Sequence, residues 1–328
     1  MALSKMASKV TSGVVVVAVS TSAVAPASTG TIAHEIRGLK FASQRLKGGL
    51  IECASEKTGL AGLLTRDIAK SLEKRASHAS VVLYDRITHT SCRYGAYKHY
   101  DSASTIKPII LGALLLKEGV RLSGDERDLA RQMIVSSDND AMYALWESVG
   151  RKNIQRFLDR AGMTNTVLDE AGFMGLTQIT ARDQAKLLEL LTGDDDSVLN
   201  AEERAYILRL MRDVQKDQRW GTPAGAPRGA AVQVKNGWLQ RSETGVEDPW
   251  DRGDWKVNSM SAFTGHGYDY GLVILTENNR VPEGESPLAG WNYGTDTVER
   301  VAKAIHHDLY PDRTPPATGS RPPVKVAQ

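Results

Sequence analysis

The pattern of apolar and polar residues predicts that the folded part of this chain opens with a helix and a hairpin. Apolar side chains between Leu60 and Arg75 recur on one stripe, which predicts an amphipathic helix. Two short runs rich in β-branched and aromatic residues follow, Ser80–Tyr84 and Ser91–Tyr97. With Asp85–Thr90 as the turn between them, they predict a β-hairpin.

The next apolar run, Ile106–Leu116, contains almost no polar residue. Its sequence, IKPIILGALLL, has Lys107 as its one charged residue. A helix that is apolar on every side must be buried inside the protein. Pro108 fits only in the first turn of such a helix, so the helix begins close to Ser104 and has that residue at its N-terminus.

A block of helices, three strands and a final helix complete the pattern. The predicted helices are Glu126–Val135, Asp140–Val149, Asn153–Ala161, Thr180–Leu191, Ala201–Val214 and, last, Thr295–Leu309. The three predicted strands are Ala231–Trp238, Trp255–Thr264 and Tyr268–Thr276. Together these elements predict an α+β fold of three-layer α/β/α type. A five-stranded antiparallel sheet is flanked by the N- and C-terminal helices, and the helical block forms a second lobe. The cleft between the lobes is the expected place for a site.

The first 27 residues have the layout of a secretory signal peptide. A basic start is followed by an apolar run over Val10–Val24 and by Ala25-Pro26-Ala27, a cleavage site of the A-x-A type. An uncleaved membrane anchor is the alternative, but this run is short of the roughly 20 residues that a spanning helix needs. We therefore expect export, cleavage, and a location outside the cytoplasm.

The remaining chain is divided into a lead-in, one domain and a tail. The predicted segments are a lead-in over 28–59, a domain over 60–310 and a tail over 311–328. Within the domain, the helical lobe covers about 104–228, and the sheet lobe covers 60–103 and 229–310. The tail has five prolines and no apolar period, so we expect it to be disordered.

Composition and cysteine content narrow the function classes. The chain has 328 residues, 41% hydrophobic and 24% charged, with a net charge of +2, so nothing points to nucleic acid as a partner. We expect a monomer that acts on a small molecule. Cys53 and Cys92 are the only two cysteines. In an exported protein such a pair suggests one disulfide, and two separate buried thiols are the alternative.

Ser104 and Lys107 form an S-x-x-K motif at the start of the buried helix. One helical turn places residues three apart on the same face, so the Lys107 amine is expected beside the Ser104 hydroxyl. An alcohol becomes a good nucleophile only when a base removes its proton. A lysine in a dry cleft near another cation can lose its own proton and act as that base.

Two further motifs follow in order. Ser137, Asp138 and Asn139 form S-D-N at a junction between two helices. Ser137 is expected to relay a proton to the leaving nitrogen and Asn139 to hold Lys107 and a substrate amide, although an ordinary helix N-cap would look the same. The third motif is K-N-G on a strand, in which the lysine would meet a substrate carboxylate and the glycine would let substrate approach the strand. Its residues are Lys235, Asn236 and Gly237.

The order and spacing of S-x-x-K, S-D-N and K-x-G resemble the class A β-lactamase family and its penicillin-binding, transpeptidase-like relatives. The resemblance covers roughly Leu60 to Leu309, and phrases such as SDNDAMYALWESVG, QRWGTPAG and VKNGWLQR carry it. It implies an acyl-serine intermediate on Ser104 with Lys107 as the base. It also implies that the other motif residues line the cleft, with backbone N–H groups of Ser104 and Trp238 as the oxyanion hole.

The sequence departs from that family in three places. The family's loop glutamate, which activates the deacylating water, has no clear counterpart in the shortened segment Asn165–Thr180. Glu170 is the candidate there, and a solvent-exposed loop carboxylate is the alternative. Asn236 replaces the usual Thr or Ser, and an amide can still donate to a carboxylate. Trp238 replaces a small residue and would narrow the cleft or stack on substrate. Arg219 is a candidate for binding a substrate carboxylate, with a surface arginine as the alternative.

The sequence contains no motif for a metalloprotease, for another type of serine hydrolase or for nucleotide binding. There is no H-E-x-x-H, G-x-S-x-G or phosphate-binding glycine loop, so we expect neither a metal nor a cofactor. His306 and His307 in the final helix are expected on the surface. Three hypotheses remain, in this order: a β-lactamase (EC 3.5.2.6), a slowly deacylating D,D-peptidase or esterase of the cell envelope that binds penicillin, and a non-catalytic binding module.

Overall fold

The structure is a computed structural model that describes residues 32–36, 38–241, 254–280, 284–286 and 288–314. The predicted signal peptide and residues 315–328 of the predicted tail lie outside the described residues. The strands are β1 (Ile32–Ile36), β2 (Leu39–Leu46), β3 (Gly49–Ser55), β4 (Ala79–Asp85), β5 (Thr90–Tyr94), β6 (His99–Asp101), β7 (Gln178–Thr180), β8 (Ala231–Gln240), β9 (Trp255–Gly265) and β10 (Tyr268–Asn279). The helices are α1 (Leu60–Leu72), α2 (Lys107–Glu118), α3 (Gly124–Val135), α4 (Asn139–Val149), α5 (Arg151–Arg160), α6 (Ala181–Thr192), α7 (Ala201–Arg212) and α8 (Leu288–Leu309). Short 3₁₀ helices cover Ala103–Ile106, Met174–Leu176 and Lys216–Gln218.

Eight strands form one antiparallel sheet in the order β1-β2-β3-β5-β4-β10-β9-β8. The five predicted strands are its contiguous part from β5 to β8, and the predicted α+β class with a helical lobe is confirmed. The predicted count of five strands was wrong, because β1, β2 and β3 extend the sheet beyond β5. A separate two-stranded sheet, β6 with β7, was not predicted.

The three additional strands come from residues that the sequence predicted as a lead-in. Polar residues alternate poorly with apolar ones in the sequences of β2 and β3, so the pattern that identifies a half-buried strand is weak. The available signal was in the turns. Gly38, with a φ of 85°, separates β1 from β2, and Lys47-Gly48 separates β2 from β3. Such short connections join antiparallel neighbours.

Helices α1 and α8 pack together on one face of the sheet. Leu64 and Ile68 of α1 share a core with Val298 and Ile305 of α8 and with strand residues such as Leu272. The apolar stripe that predicted α1 is therefore the face that it buries. This layer supports the strands from behind and leaves the edge strand β8 available to line a cleft.

Helix α2 forms the centre of the second lobe, as its apolar sequence predicts. All residues from Ile109 to Leu115 are buried. Their apolar side chains belong to one core cluster with side chains of α3, α4, α5, α6 and α7. A Cβ on Gly112 would lie 2.5 Å from the Phe157 ring, so only glycine allows α2 and α5 to approach so closely. None of the helices in the described ranges has both the length and the apolar character needed to cross a bilayer.

Cys53 on β3 and Cys92 on β5 lie directly opposite each other, with sulfur atoms 2.07 Å apart. The bond would join the added strands to the predicted sheet. The two cysteines are 39 residues apart in the sequence. We expect the double variant Cys53→Ser/Cys92→Ser to lose about 4 kcal/mol of unfolding free energy, because the unfolded chain without the cross-link has more conformational entropy than the cross-linked one. Urea denaturation of the wild type with and without reductant, beside the variant, measures this loss. Unchanged midpoints in both comparisons would contradict the disulfide.

Candidate active site

Ser104 lies in a tight turn between the small sheet and helix α2. The turn belongs to the 3₁₀ helix Ala103–Ile106, and Ala103 has a φ of 46°, a left-handed backbone that a side chain disfavours. Hydrogen bonds hold this turn in place: the Ser102 hydroxyl donates to the Met174 carbonyl at 3.0 Å, and the Thr105 hydroxyl donates to the Ser102 carbonyl at 2.6 Å. Strained backbone of this kind persists only when its surroundings fix it.

The Lys107 amine is buried and hydrogen-bonded to the S-D-N motif. It donates to the Ser137 carbonyl at 2.5 Å, to the Ser137 hydroxyl at 3.2 Å and to Asn139 Oδ1 at 2.9 Å. Ser137 itself has a φ of 58°. Asp138 Oδ1 accepts from the Ala141 N–H at 2.8 Å, so this motif caps helix α4 and also holds the lysine. The Ser104 hydroxyl forms no hydrogen bond with another described residue.

The Lys235 amine, on strand β8 of the sheet, also donates to Ser137. It donates to the Ser137 hydroxyl at 2.7 Å and to the Asn236 carbonyl at 3.0 Å. Lys107 comes from α2, Ser137 from the junction of α3 and α4, and Lys235 from β8. Both lobes therefore contribute side chains to one polar centre.

Burial disfavours the charged form of both amines. It lowers the pKa of Lys107 to about 7, against a smaller opposing effect of the Asp138 carboxylate. Burial also lowers the pKa of Lys235 well below its usual value, and the nearby charge of Lys107 adds to that effect. Within the described residues, neither amine forms an ion pair with a carboxylate. A lysine with a pKa of about 7 has a substantial neutral fraction near neutral pH, and the neutral amine can accept a proton from a neighbouring hydroxyl.

Gly237 brings strand β8 directly against the nucleophile turn. A Cβ at this position would lie 2.7 Å from the Ser104 backbone nitrogen and 2.9 Å from that of Thr105. Only a residue without a side chain permits this approach. The Ser104 N–H therefore lies beside β8, and an oxyanion hole that also uses the Trp238 N–H stays a prediction.

The side-chain amide of Asn236 is hydrogen-bonded to the loop that precedes β8. Its Nδ2 donates to the carbonyls of Gln218 and Trp220, each at 2.8 Å. Both amide hydrogens are used, so in this arrangement the side chain cannot donate to a substrate carboxylate as expected from the sequence. Its buried Oδ1 has no hydrogen-bond partner among the described residues.

Trp238 forms an aromatic wall with a second tryptophan on that loop. The rings of Trp238 and Trp220 are 5.8 Å apart in an edge-on arrangement, and Trp220 packs edge-on against Trp291 at 5.7 Å. Trp238 is half-buried, whereas Trp220 is buried. The large residue next to Gly237 therefore packs part of its ring against other tryptophans of the protein.

Two sequence candidates do not join this centre. The Arg219 guanidinium donates to the carbonyls of Arg212 at 2.7 Å and Val232 at 2.9 Å, which ties it to the protein backbone. Glu170 is exposed and is hydrogen-bonded to none of the residues around Ser137. Among the described residues, no carboxylate forms an ion pair with either lysine; the Asp138 carboxylate acts on Lys107 from a greater distance and caps helix α4.

Sequence reasoning missed two residues that hold the nucleophile turn. Asn258 on β9 is fully buried and donates from Nδ2 to the Asp101 carbonyl at 2.8 Å. The Asp101 carboxylate accepts from Gln178 Nε2 at 2.6 Å and pairs with Arg241 Nε at 2.8 Å. The available signal was an asparagine in the middle of a predicted strand between two long strand neighbours, since a buried amide needs partners.

These features define a two-lobed serine enzyme fold of the β-lactamase and penicillin-binding type. The chain belongs to the beta-lactamase enzyme family, whose sequence model matches residues 116–307. The matched range begins after Ser104 and Lys107, so the place of that motif rests on the geometry described above.

Solved structures with the same fold include β-lactamases and a penicillin-binding protein. The TLA-3 extended-spectrum β-lactamase has 15% identity and a TM-score of 0.61, with 75% of this chain and 98% of that chain covered. A class A β-lactamase from Bacteroides cellulosilyticus DSM 14838 has 14% identity and a TM-score of 0.60, with coverage of 78% and 100%. The L158E mutant of PBP-A, solved as an acyl-enzyme complex with penicillin G, has 20% identity and a TM-score of 0.59, with coverage of 76% and 97%. No curated protein matches the sequence. At these identities the likeness shows the fold alone.

Gly237→Ala tests the close approach of β8 to the nucleophile turn. We expect the new methyl group to push the strand away from Ser104, to cost about 1–3 kcal/mol of stability, and to slow reaction of Ser104 with a fluorophosphonate probe by about a hundredfold. Gly62→Ala on α1 is the control, because a Cβ there meets nothing within 4 Å. Equal labelling rates for Gly237→Ala, Gly62→Ala and the wild type would rule out the role assigned to this glycine.

Proposed function

We propose that this protein is a serine hydrolase of the cell envelope that forms an acyl-enzyme at Ser104 and releases the acyl group slowly. The observation that carries this proposal is the meeting of two buried lysine amines at the Ser137 hydroxyl, one from the residue a helical turn after Ser104 and one from the strand that Gly237 brings against the Ser104 turn. Such a centre supplies a base, a proton relay and positive charge without a metal ion or cofactor.

The acylation step follows from these groups. The Ser104 hydroxyl attacks a strained or activated carbonyl carbon, and its proton passes to the neutral Lys107 amine. The negative oxygen that develops is stabilised by backbone N–H groups beside β8 and by the positive field of the lysines. Collapse breaks the bond to the leaving nitrogen or oxygen, which takes a proton from the Ser137 hydroxyl. Ser137 regains its proton from Lys107, so all protons balance.

Slow deacylation is proposed because no described carboxylate is in place to activate water. The exposed position of Glu170 and the shortened loop support this view. A penicillin-binding D,D-peptidase or an esterase has that behaviour, and β-lactams then act as substrates that remain attached. The sequence layout of residues 1–27 and the Cys53–Cys92 pair support a location outside the cytoplasm.

Rapid β-lactam hydrolysis is the second candidate, and membership of the β-lactamase enzyme family favours it. It requires a base that activates water on the acyl-enzyme. Lys107 is the candidate for that base, since Glu170 does not contact the centre. A non-catalytic binding module is the third possibility from the sequence, and the two desolvated amines argue against it because burying them is costly unless the site uses them.

Intact-mass spectrometry of the protein with benzylpenicillin over time separates these functions. We expect a single adduct of one penicillin that persists for hours, which Ser104→Ala abolishes and Glu170→Gln leaves unchanged in lifetime. Fast loss of penicillin without a lasting adduct would establish the β-lactamase instead. No adduct with penicillin or with an active-ester probe would contradict an acyl-serine enzyme of either kind.

The pH dependence of acylation tests the role of Lys107. We expect the acylation rate to rise with pH through about 7 and then level off, because only the neutral amine accepts the Ser104 proton. Asp138→Asn keeps a side chain able to cap α4 but removes the negative charge that raises the Lys107 pKa. Its profile should therefore shift to lower pH. A profile that is flat between pH 5 and 9, or that falls as pH rises, would exclude the lysine as the base.

A further inference from the structure

His306 on α8 is fully buried, although the sequence suggested a surface position. Its two ring nitrogens meet two different partners. Nε2 lies 2.8 Å from the Thr222 carbonyl oxygen, and Nδ1 lies 2.9 Å from the Tyr270 hydroxyl. The neighbouring His307 is largely exposed, with 70% of its side chain accessible. The proposed reaction does not use this buried histidine, so its role needs a separate explanation.

The partners determine the protonation of the ring. A carbonyl oxygen only accepts, so Nε2 must carry the hydrogen that is donated to Thr222. In the neutral ring Nδ1 then accepts from the Tyr270 hydroxyl. Every polar atom of the side chain is satisfied without a second proton. Burial lowers the pKa of His306 to about 4, which agrees with a ring that is neutral at ordinary pH.

Thr222, which accepts the hydrogen bond from His306, is itself hydrogen-bonded to strand β9. Its N–H donates to the Ser259 hydroxyl at 2.8 Å, and its own hydroxyl lies 2.7 Å from the hydroxyls of both Ser259 and Ser261. The preceding Gly221, with a φ of 83°, would bring a Cβ within 2.5 Å of the Ser259 hydroxyl. The segment 218–222 is therefore pressed against β9 and has little freedom to shift.

The same segment supports the K-N-G strand. Its carbonyls at Gln218 and Trp220 accept both hydrogens of the Asn236 amide, and Asn236 pairs with Ser259 across β8 and β9. The Trp220 ring packs edge-on against Trp238. A displacement of the segment 218–222 would therefore move Asn236 and Trp238, the two residues that flank Gly237.

We propose that His306 is a positioning residue of the active site, which holds the segment 218–222 against β9 and thereby fixes Asn236 and the aromatic wall formed by Trp220 and Trp238. The Nε2 hydrogen bond to Thr222 carries this role, and the Nδ1 bond to Tyr270 only orients the ring. The inference concerns binding in the cleft and not proton transfer at Ser104. Its kinetic part rests on the proposed acyl-serine function, whereas its structural part does not.

A pair of conservative variants separates the two hydrogen bonds. His306→Gln places an amide nitrogen near the position of Nε2 and can still donate to the Thr222 carbonyl. His306→Asn is shorter and places its polar atoms near Nδ1, within reach of Tyr270 but not of Thr222. Both replacements are polar and smaller than histidine, so they differ mainly in which partner they keep. His307→Gln on the exposed neighbouring position is the matched control.

The structural readout is the side-chain amide signal of Asn236 in ¹H–¹⁵N NMR spectra of the full chain. We expect the wild type, His306→Gln and His307→Gln to share the same shifts and slow hydrogen exchange. His306→Asn should move these signals and speed their exchange. The ring ¹⁵N signals of the wild type should also show the neutral Nε2–H form down to about pH 5. Asn236 signals that stay unchanged in His306→Asn, or that move equally in both His306 variants, would overturn the inference.

The kinetic readout is the rate of acylation as a function of benzylpenicillin concentration. It gives two values, the concentration at half-maximal rate and the maximal rate. We expect His306→Asn to raise the half-saturating concentration by about tenfold with less than about a twofold change in maximal rate, as loss of one buried hydrogen bond at a binding wall would do. His306→Gln should stay within about threefold of wild type in both. A fall confined to the maximal rate would contradict the positioning role. If wild type forms no adduct at all, the proposed function fails, and the Asn236 signals alone decide this inference.

Discussion

The burial of two lysine amines around one serine is the constraint on which the rest of the site depends. An ammonium group removed from water must find hydrogen-bond acceptors, and Ser137 supplies them through both its carbonyl and its hydroxyl. Because two charged amines so close together repel each other, the pair is more stable with one of them neutral. Burial lowers the pKa of both amines, the nearby charge of Lys107 lowers that of Lys235 further, and neither amine forms an ion pair with a described carboxylate.

This arrangement requires the two lobes to approach closely. The Lys107 amine and its Ser137 acceptor belong to the helical lobe and the Lys235 amine to the sheet, so any separation of the lobes would take Lys235 away from the Ser137 hydroxyl that both amines share. Gly237 permits the approach because it has no side chain, and Ala103 accepts a left-handed backbone so that the turn fits against β8. Asn258 then ties the turn to β9 through the Asp101 carbonyl. The strain is local, and the buried hydrogen bonds around it hold it in place.

Sequence alone predicts the parts of this site that depend on local spacing and on order along the chain. The turn before α2, the cap at Asp138 and the glycine on β8 each have a local signature, which is why these elements were found. The direction of the Arg219 side chain and the burial of His306 depend on tertiary partners that no local pattern encodes. The strands β1 to β3 were missed for a related reason, since an exposed face of a sheet allows polar residues and so weakens the alternation.

In the proposed mechanism, the burial that lowers the Lys107 pKa serves the two halves of the reaction unequally. In its charged form the amine has three hydrogens, and the structure offers it three acceptor contacts on Ser137 and Asn139. Once neutral, it has a lone pair free for the proton of Ser104, so the first half of the reaction is well served. The second half needs a group that both orients water and removes its proton, a task for an acceptor that faces solvent. The two amines of the described centre are paired with hydroxyl, carbonyl and amide oxygens and with no carboxylate, and our proposal that acylation is faster than deacylation rests on this arrangement.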